Sequence, residues 1–153
     1  MMNNSNYKSS ILKSFYSFRN GAIAESLKKQ GLPFKNIFGL LLPQLTEIAT
    51  NFPKEITLAE ELWNDRDFRE SRLLAILLIP TDSITKDEIL SFIQTVKTTE
   101  ESEILCFKVL RNLPYAEHLF KFLSETKEPS NNLKDYLLEM FRRNLEAVKF
   151  SQN

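Results

Sequence analysis

The chain of 153 residues has three glycines, one cysteine, one histidine, one tryptophan and no excess of either charge. Each shortage excludes something. No Gly-rich phosphate loop, nucleophile elbow or paired-His motif is present, and no Asn-Gly turn separates two alternating runs, since Asn20-Gly21 lies between helical patterns. A lone Cys106 allows no disulfide framework and fits a reducing compartment. With His118 also alone, the usual zinc ligand set cannot be assembled, so neither a metal nor a cofactor is expected. No apolar run reaches bilayer-spanning length, and the polar start MMNNSNYKSS lacks the apolar core of a signal peptide. These features lead to the expectation of a cytoplasmic protein without a membrane partner. Twenty Lys+Arg cancel twenty Asp+Glu, so any attraction to nucleic acid must come from a local basic face rather than from bulk charge.

What is present is helix. Hydrophobic residues make up 42% of the chain and include 12 Phe, enough for the core of one compact domain. The stretch DFRESRLLAILLIP, Asp67 to Pro80, organises the rest. Asp67 and Glu70 are spaced as an N-cap and its reciprocal acid, seven apolar residues run from Leu73 to Ile79, and Pro80 stops the element. On a helix, seven consecutive apolar residues face every direction, so this one must be covered on all sides. Residues 1–7 read as a disordered leader, with helical periodicity from Lys8 through the stripe Ile11, Phe15, Phe18 and Ala22. A second helix spans Ala22 to Gln30, with Gly31 as its left-handed stop and Pro33 beyond. Leu32 to Leu42 is the least helical part, and Pro43 suits the first turn of a helix reaching Asn51.

From there the punctuation recurs. Thr57/Glu60, Thr85/Glu88 and Thr98/Glu101 have capping-box spacing, which predicts helices over 57–63, 67–79, 85–95, 98–112, 115–125 and 131–150. Taken in pairs they recur about every 30 residues, a two-helix unit of the HEAT or armadillo kind. The expected fold is all-α: a single HEAT-like domain over 8–150, an α-solenoid or α-α superhelix of stacked antiparallel helical pairs.

One stretch goes beyond architecture. FGLLLPQLTEIA followed by LAEELWNDRDFRESRLLAILLIP, with RNGAIAESLKKQG upstream, resembles the AlkD-like DNA alkylation repair family of HEAT-like proteins over about Phe15 to Leu123. The resemblance implies a DNA-facing concave surface and, in active members, removal of alkylated purines by a catalytic carboxylate with tryptophans and an arginine around it. The corresponding stretch here is Thr99 to Leu105. Glu103 takes the place of the essential aspartate, Thr99 that of a tryptophan, and Lys134-Asp135-Tyr136 stands where the arginine is expected.

The candidate residues each have two readings. Glu103 could stabilise a cationic sugar, or belong with Glu100 and Glu101 to a first turn that complements the helix dipole. Trp63 reads as a core residue joining two helices rather than a base-stacking one. Arg66, Arg69 and Arg72, interleaved with Asp65, Asp67 and Glu70, read as a solvated, internally paired turn. Arg142, Arg143 and Lys149 make a basic last helix that could contact phosphate or simply face solvent, and Lys28, Lys29 and Lys35 form a second basic group. The implied partner is double-stranded DNA; the alternative is a scaffold that holds a protein partner on its concave face.

Overall fold

A computed structural model describes residues 3–126 and 131–152. Among them are nine α-helices, one 3-10 turn and no strand. The only extended pairing among them is an isolated bridge between Asn36 and Phe68. The chain forms two compact units, Met1–Ile79 and Pro80–Asn153.

The first unit contains α1 (Asn4–Phe18), α2 (Gly21–Lys29), α3 (Leu42–Ala49), α4 (Ile56–Trp63) and α5 (Arg69–Leu77). Helix α1 begins at Asn4 rather than Lys8, because the Asn3 side chain accepts the Asn6 N–H as an N-cap. Part of the expected leader is therefore helical, and residues 1 and 2 lie outside the described residues. Asn20 separates α1 from α2 and caps the latter through the Ile23 N–H. Gly31 takes the left-handed stop at φ 81°, and Pro43 sits in the first turn of α3.

Helix α5 packs most extensively against α4 and also against α3. Leu73, Leu74, Ala75, Ile76, Leu78 and Ile79 are buried, and Leu77 is half-buried. Its start differs from the sequence expectation. Phe68 is the N-cap position and no side chain caps the helix. Asp67 is exposed, and Glu70 is turned inward with no exposed surface. The Glu70 carboxylate accepts the Phe38 N–H at 2.9 Å, the Gly39 N–H at 3.1 Å and the Leu40 N–H at 3.4 Å.

This arrangement explains how the least helical segment of the chain is ordered. Its backbone donors are satisfied by a carboxylate from a distant helix instead of by a ladder of their own. Arg69 completes the cluster, donating to Glu70 at 2.5 Å and to the Leu40 carbonyl at 3.1 Å. Gly39 is required here. Its φ is +81°, and a Cβ would lie 2.3 Å from the Asn20 carbonyl oxygen. Arg69 and Arg72 are thus buried, not the solvated turn that their interleaved acids suggested. Arg72 lies 3.7 Å above the Trp63 ring centroid and donates to the Trp63 carbonyl at 2.8 Å. Trp63 itself is buried, as its position between α4 and α5 implied.

The second unit contains α6 (Lys86–Gln94), α7 (Thr99–Lys108), the 3-10 turn Leu110–Asn112, α8 (Ala116–Glu125) and α9 (Asn132–Gln152). Thr85 and Glu88 form the reciprocal capping box. Thr98 caps α7 through the Glu101 N–H, while the Glu101 carboxylate reaches one residue further back, to the Lys97 N–H. Thr57 makes no such box, since α4 starts at Ile56 with Glu55 as an N-cap position lacking a side-chain bond. Helix α9 packs against α7 and α8 through Leu137, Phe141 and Leu145, with Phe120 edge-on to Phe141. Buried Cys106 donates to the Leu137 carbonyl, and burial pushes its thiol up to about 12, so it is an inert packing residue.

Candidate nucleic-acid interface

Helix α7 presents Glu103 to solvent while Ser102, Ile104, Leu105 and Cys106 turn inward. Glu100 and Glu101 are its first-turn acids, where they complement the helix dipole. Glu101 is buried and its carboxylate accepts the Lys97 N–H, so it is structural. Glu103 instead accepts a direct hydrogen bond at Oε1 from the Tyr136 hydroxyl, on α9. That bond, followed by partial burial and the carboxylate's charge, raises the Tyr136 pKa above its ordinary value; the Arg143 charge opposes the rise. Within the Lys134-Asp135-Tyr136 stretch where the resemblance places an arginine, a neutral phenol holds the carboxylate. Thr99, at the tryptophan position, is exposed and contributes no ring.

One turn beyond Glu103, Phe107 is 45% exposed. The Arg111 guanidinium lies 4.0 Å from its ring centroid and the Lys108 ammonium 5.3 Å. Phe107 and Arg111 are four residues apart, and the chain continuing through the 3-10 turn keeps Arg111 over the Phe107 ring.

The six basic residues singled out from the sequence fall in two groups. Lys28 and Lys29 are exposed in the last turn of α2. Lys35 is 3.9 Å from Asp67. On α9, Arg142 bonds Glu139 and Glu146, each at 2.6 Å, and Arg143 bonds Glu139 at 3.1 Å. Lys149 is 2.9 Å from Glu117. The two arginines hold the Glu139 carboxyl down at about 2 through these hydrogen bonds. The last helix is thus a ladder of mutual ion pairs more than an unopposed basic stripe.

A cavity of about 390 Å³ lies elsewhere in the second unit, against Leu90, Ile93, Phe122, Leu133 and Leu138. Glu103 and Tyr136 are not among its lining residues. Among the described residues no group of three or more His, Cys, Asp or Glu could hold a metal ion, and no helix is long and apolar enough to cross a membrane.

The family model described as DNA alkylation repair enzyme matches residues 11–132. The chain belongs to this family. No curated protein and no solved structure matched the chain. The family match includes the Glu103 turn, Phe107 and Arg111, and it ends before Tyr136 and the α9 ion-pair ladder. Family membership is consistent with the resemblance carried by Leu62-Trp63 and the Arg72-Leu73-Leu74-Ala75 run. Sequence reasoning weighed the residues of α7 and α9 one at a time. The Tyr136–Glu103 contact depends on how those helices pack, and no local spacing encodes it.

Proposed function

We propose that this chain is a DNA-binding member of the DNA alkylation repair enzyme family that lacks robust glycosylase turnover. In this reading it is a cytoplasmic protein whose helices form one HEAT-like domain of stacked pairs. Family membership supports double-stranded DNA as the partner. The observation that carries the second half is the Tyr136–Glu103 bond. Glycosidic cleavage in this family's manner needs a carboxylate close to a developing positive charge. Here the carboxylate is Glu103, engaged by a phenol, with no tryptophan at position 99 and no arginine at 134–136. A displacement near 1 Å costs about 100-fold in rate, and glutamate is one methylene longer than aspartate. DNA binding does not depend on that geometry, because phosphate contacts position a protein without serving its chemistry.

The test has two arms. Release of 7-methylguanine or 3-methyladenine from methylated duplex DNA is expected not to exceed the no-enzyme rate. Release that does exceed it and vanishes in Glu103→Gln would make the protein an enzyme. Duplex binding measured against salt should show a steep fall in affinity. One observation favours a second reading, a protein-binding scaffold: Lys35, Arg142, Arg143 and Lys149 all face carboxylates of the chain itself. Absence of DNA binding at low salt would favour that scaffold.

A further inference from the structure

Among the described residues, three exposed rings carry a cation: Tyr16 with Arg19 at 5.9 Å, Phe122 with Lys86 at 3.7 Å, and Phe107 with Arg111 at 4.0 Å. The third differs in what is left over. Arg111 Nε is a buried side-chain nitrogen with no hydrogen-bond partner among the described residues. A buried N–H without an acceptor is costly; this one is closed off from an incoming anion, which leaves the outer Nη groups of the guanidinium to meet it. The hydrogen bonds and ion pairs that occupy Arg69, Arg72, Arg142 and Arg143 have no counterpart here. Lys108 adds a second positive charge beside the same ring.

We propose that Phe107, Lys108 and Arg111 form the DNA contact of the second unit, and that it prefers a strand with an unstacked base. A guanidinium held over an exposed aromatic ring gives a flat, cationic patch on which a nucleobase can stack. Its outer Nη donors and the Lys108 ammonium suit the phosphate beside that base. The occupant must supply both a flat apolar face and an anion, and a nucleotide of a locally unpaired strand supplies both. A fully paired duplex offers phosphate but hides its base faces. The α9 arginines already have carboxylate partners, so they are the weaker phosphate ligands. Placing the contact on α7 and the following turn also keeps it within the stretch that matches the family model. This inference rests on the DNA-binding reading above.

The experiment is fluorescence anisotropy with a labelled single-stranded oligonucleotide and with its duplex, across a salt series. It uses the full chain and the variants Arg111→Gln, Arg111→Lys, Phe107→Ala and Arg142→Gln, each checked for unchanged helical content and melting. Wild type should bind the single strand more tightly than the duplex. Phe107→Ala should weaken single-strand binding by about tenfold or more and duplex binding less. Arg111→Gln should weaken both and reduce the magnitude of the salt slope by about 0.7 on the single strand. Arg111→Lys should keep the slope and lose the single-strand preference, because the charge remains and the planar stack does not. Arg142→Gln should change neither.

If wild type binds DNA while Phe107→Ala and Arg111→Gln bind as well as it does, this proposal is overturned and DNA binding stands. Loss confined to Arg142→Gln overturns it in favour of α9. Failure of wild type to bind either probe at low salt overturns the DNA-binding reading, and this proposal with it.

Discussion

Two clusters of arginine and glutamate, similar in composition, lie at opposite extremes of exposure. Arg69, Glu70 and Arg72 are 4%, 0% and 2% exposed. The side chains of Glu139, Arg142 and Arg143 are 41%, 44% and 64% exposed. In the first cluster, every charge has been taken out of water and must find fixed partners: three backbone N–H groups, two carbonyls and the Trp63 face. In the second, water remains available to each group, and the pairs form between neighbours on a single helix. Residue identity does not decide which regime applies. Removing one member of a buried pair strands the other, whereas an exposed pair is screened and weakly stabilising. The first cluster is therefore part of the fold, and the second is a surface feature.

A charge buried with no partner at all sets the upper limit of this comparison. Leu73, 1% exposed on α5, is covered on every side. We expect Leu73→Asp to abolish soluble expression, since an unpaired buried carboxylate costs several kcal/mol, comparable with the whole stability of a domain. Soluble yield is the measurement, and a normally melting Leu73→Asp protein would show that α5 is not central. Glu70→Ala should come next. It leaves Arg69 buried without its counter-ion and three backbone N–H groups without an acceptor, for a loss of about 3–5 kcal/mol in denaturant unfolding. A loss within about 0.5 kcal/mol, as on an open surface, would collapse the distinction between the two clusters. Trp63→Ala, which removes both a buried ring and the surface beneath Arg72, should cost roughly 3–5 kcal/mol. If that variant melts like wild type but loses DNA binding, Trp63 serves as a stacking residue instead.

What could be read from the sequence was what is written in local chemistry. The cap at Thr85, the stop at Gly31, the break at Asn20 and the first turn at Pro43 each depend on one residue's own chemistry acting within about four residues of itself. The all-round apolar run Leu73–Ile79 likewise carried its own burial. Glu70 misled because it has the spacing of a capping acid, while its acceptor role is directed at residues 38–40, more than seven helical turns earlier in the chain. Arg69 and Arg72 misled for the same reason: their partners are the Leu40 and Trp63 carbonyls, reached only after folding. Thr57 has box spacing, yet α4 begins one residue before it, and the box cannot form. At the candidate site, Glu103 was singled out through the resemblance, as the carboxylate it places there. Tyr136 as its partner required the packing of α9 on α7, whereas Arg111 over Phe107 has the i,i+4 spacing that a helix face brings together.

The smallest effect expected belongs to the exposed cluster and appears only in acid. Hydrogen bonds from Arg142 and Arg143 hold the Glu139 carboxyl at about 2, below the ordinary glutamate value of about 4.3. A carboxylate whose folded pKa is depressed contributes stability above its unfolded value and loses it as pH falls through the folded one. The contribution of Glu139 is therefore complete above about pH 4.3 and disappears on approach to about pH 2. Replacing it by Gln removes a titrating group but leaves most of the geometry. Glu139→Gln should melt close to wild type at neutral pH, because solvent and salt screen the pair it loses. Through the acid window the wild-type melting temperature should fall more steeply than the variant's, until the two curves meet near the bottom of it. Thermal melts of both proteins at successive pH values, at low and high salt, make the measurement. Parallel acid limbs would show that the arginines do not hold Glu139 in solution. A large neutral-pH loss that salt leaves unchanged would place this cluster in the same energetic class as Glu70.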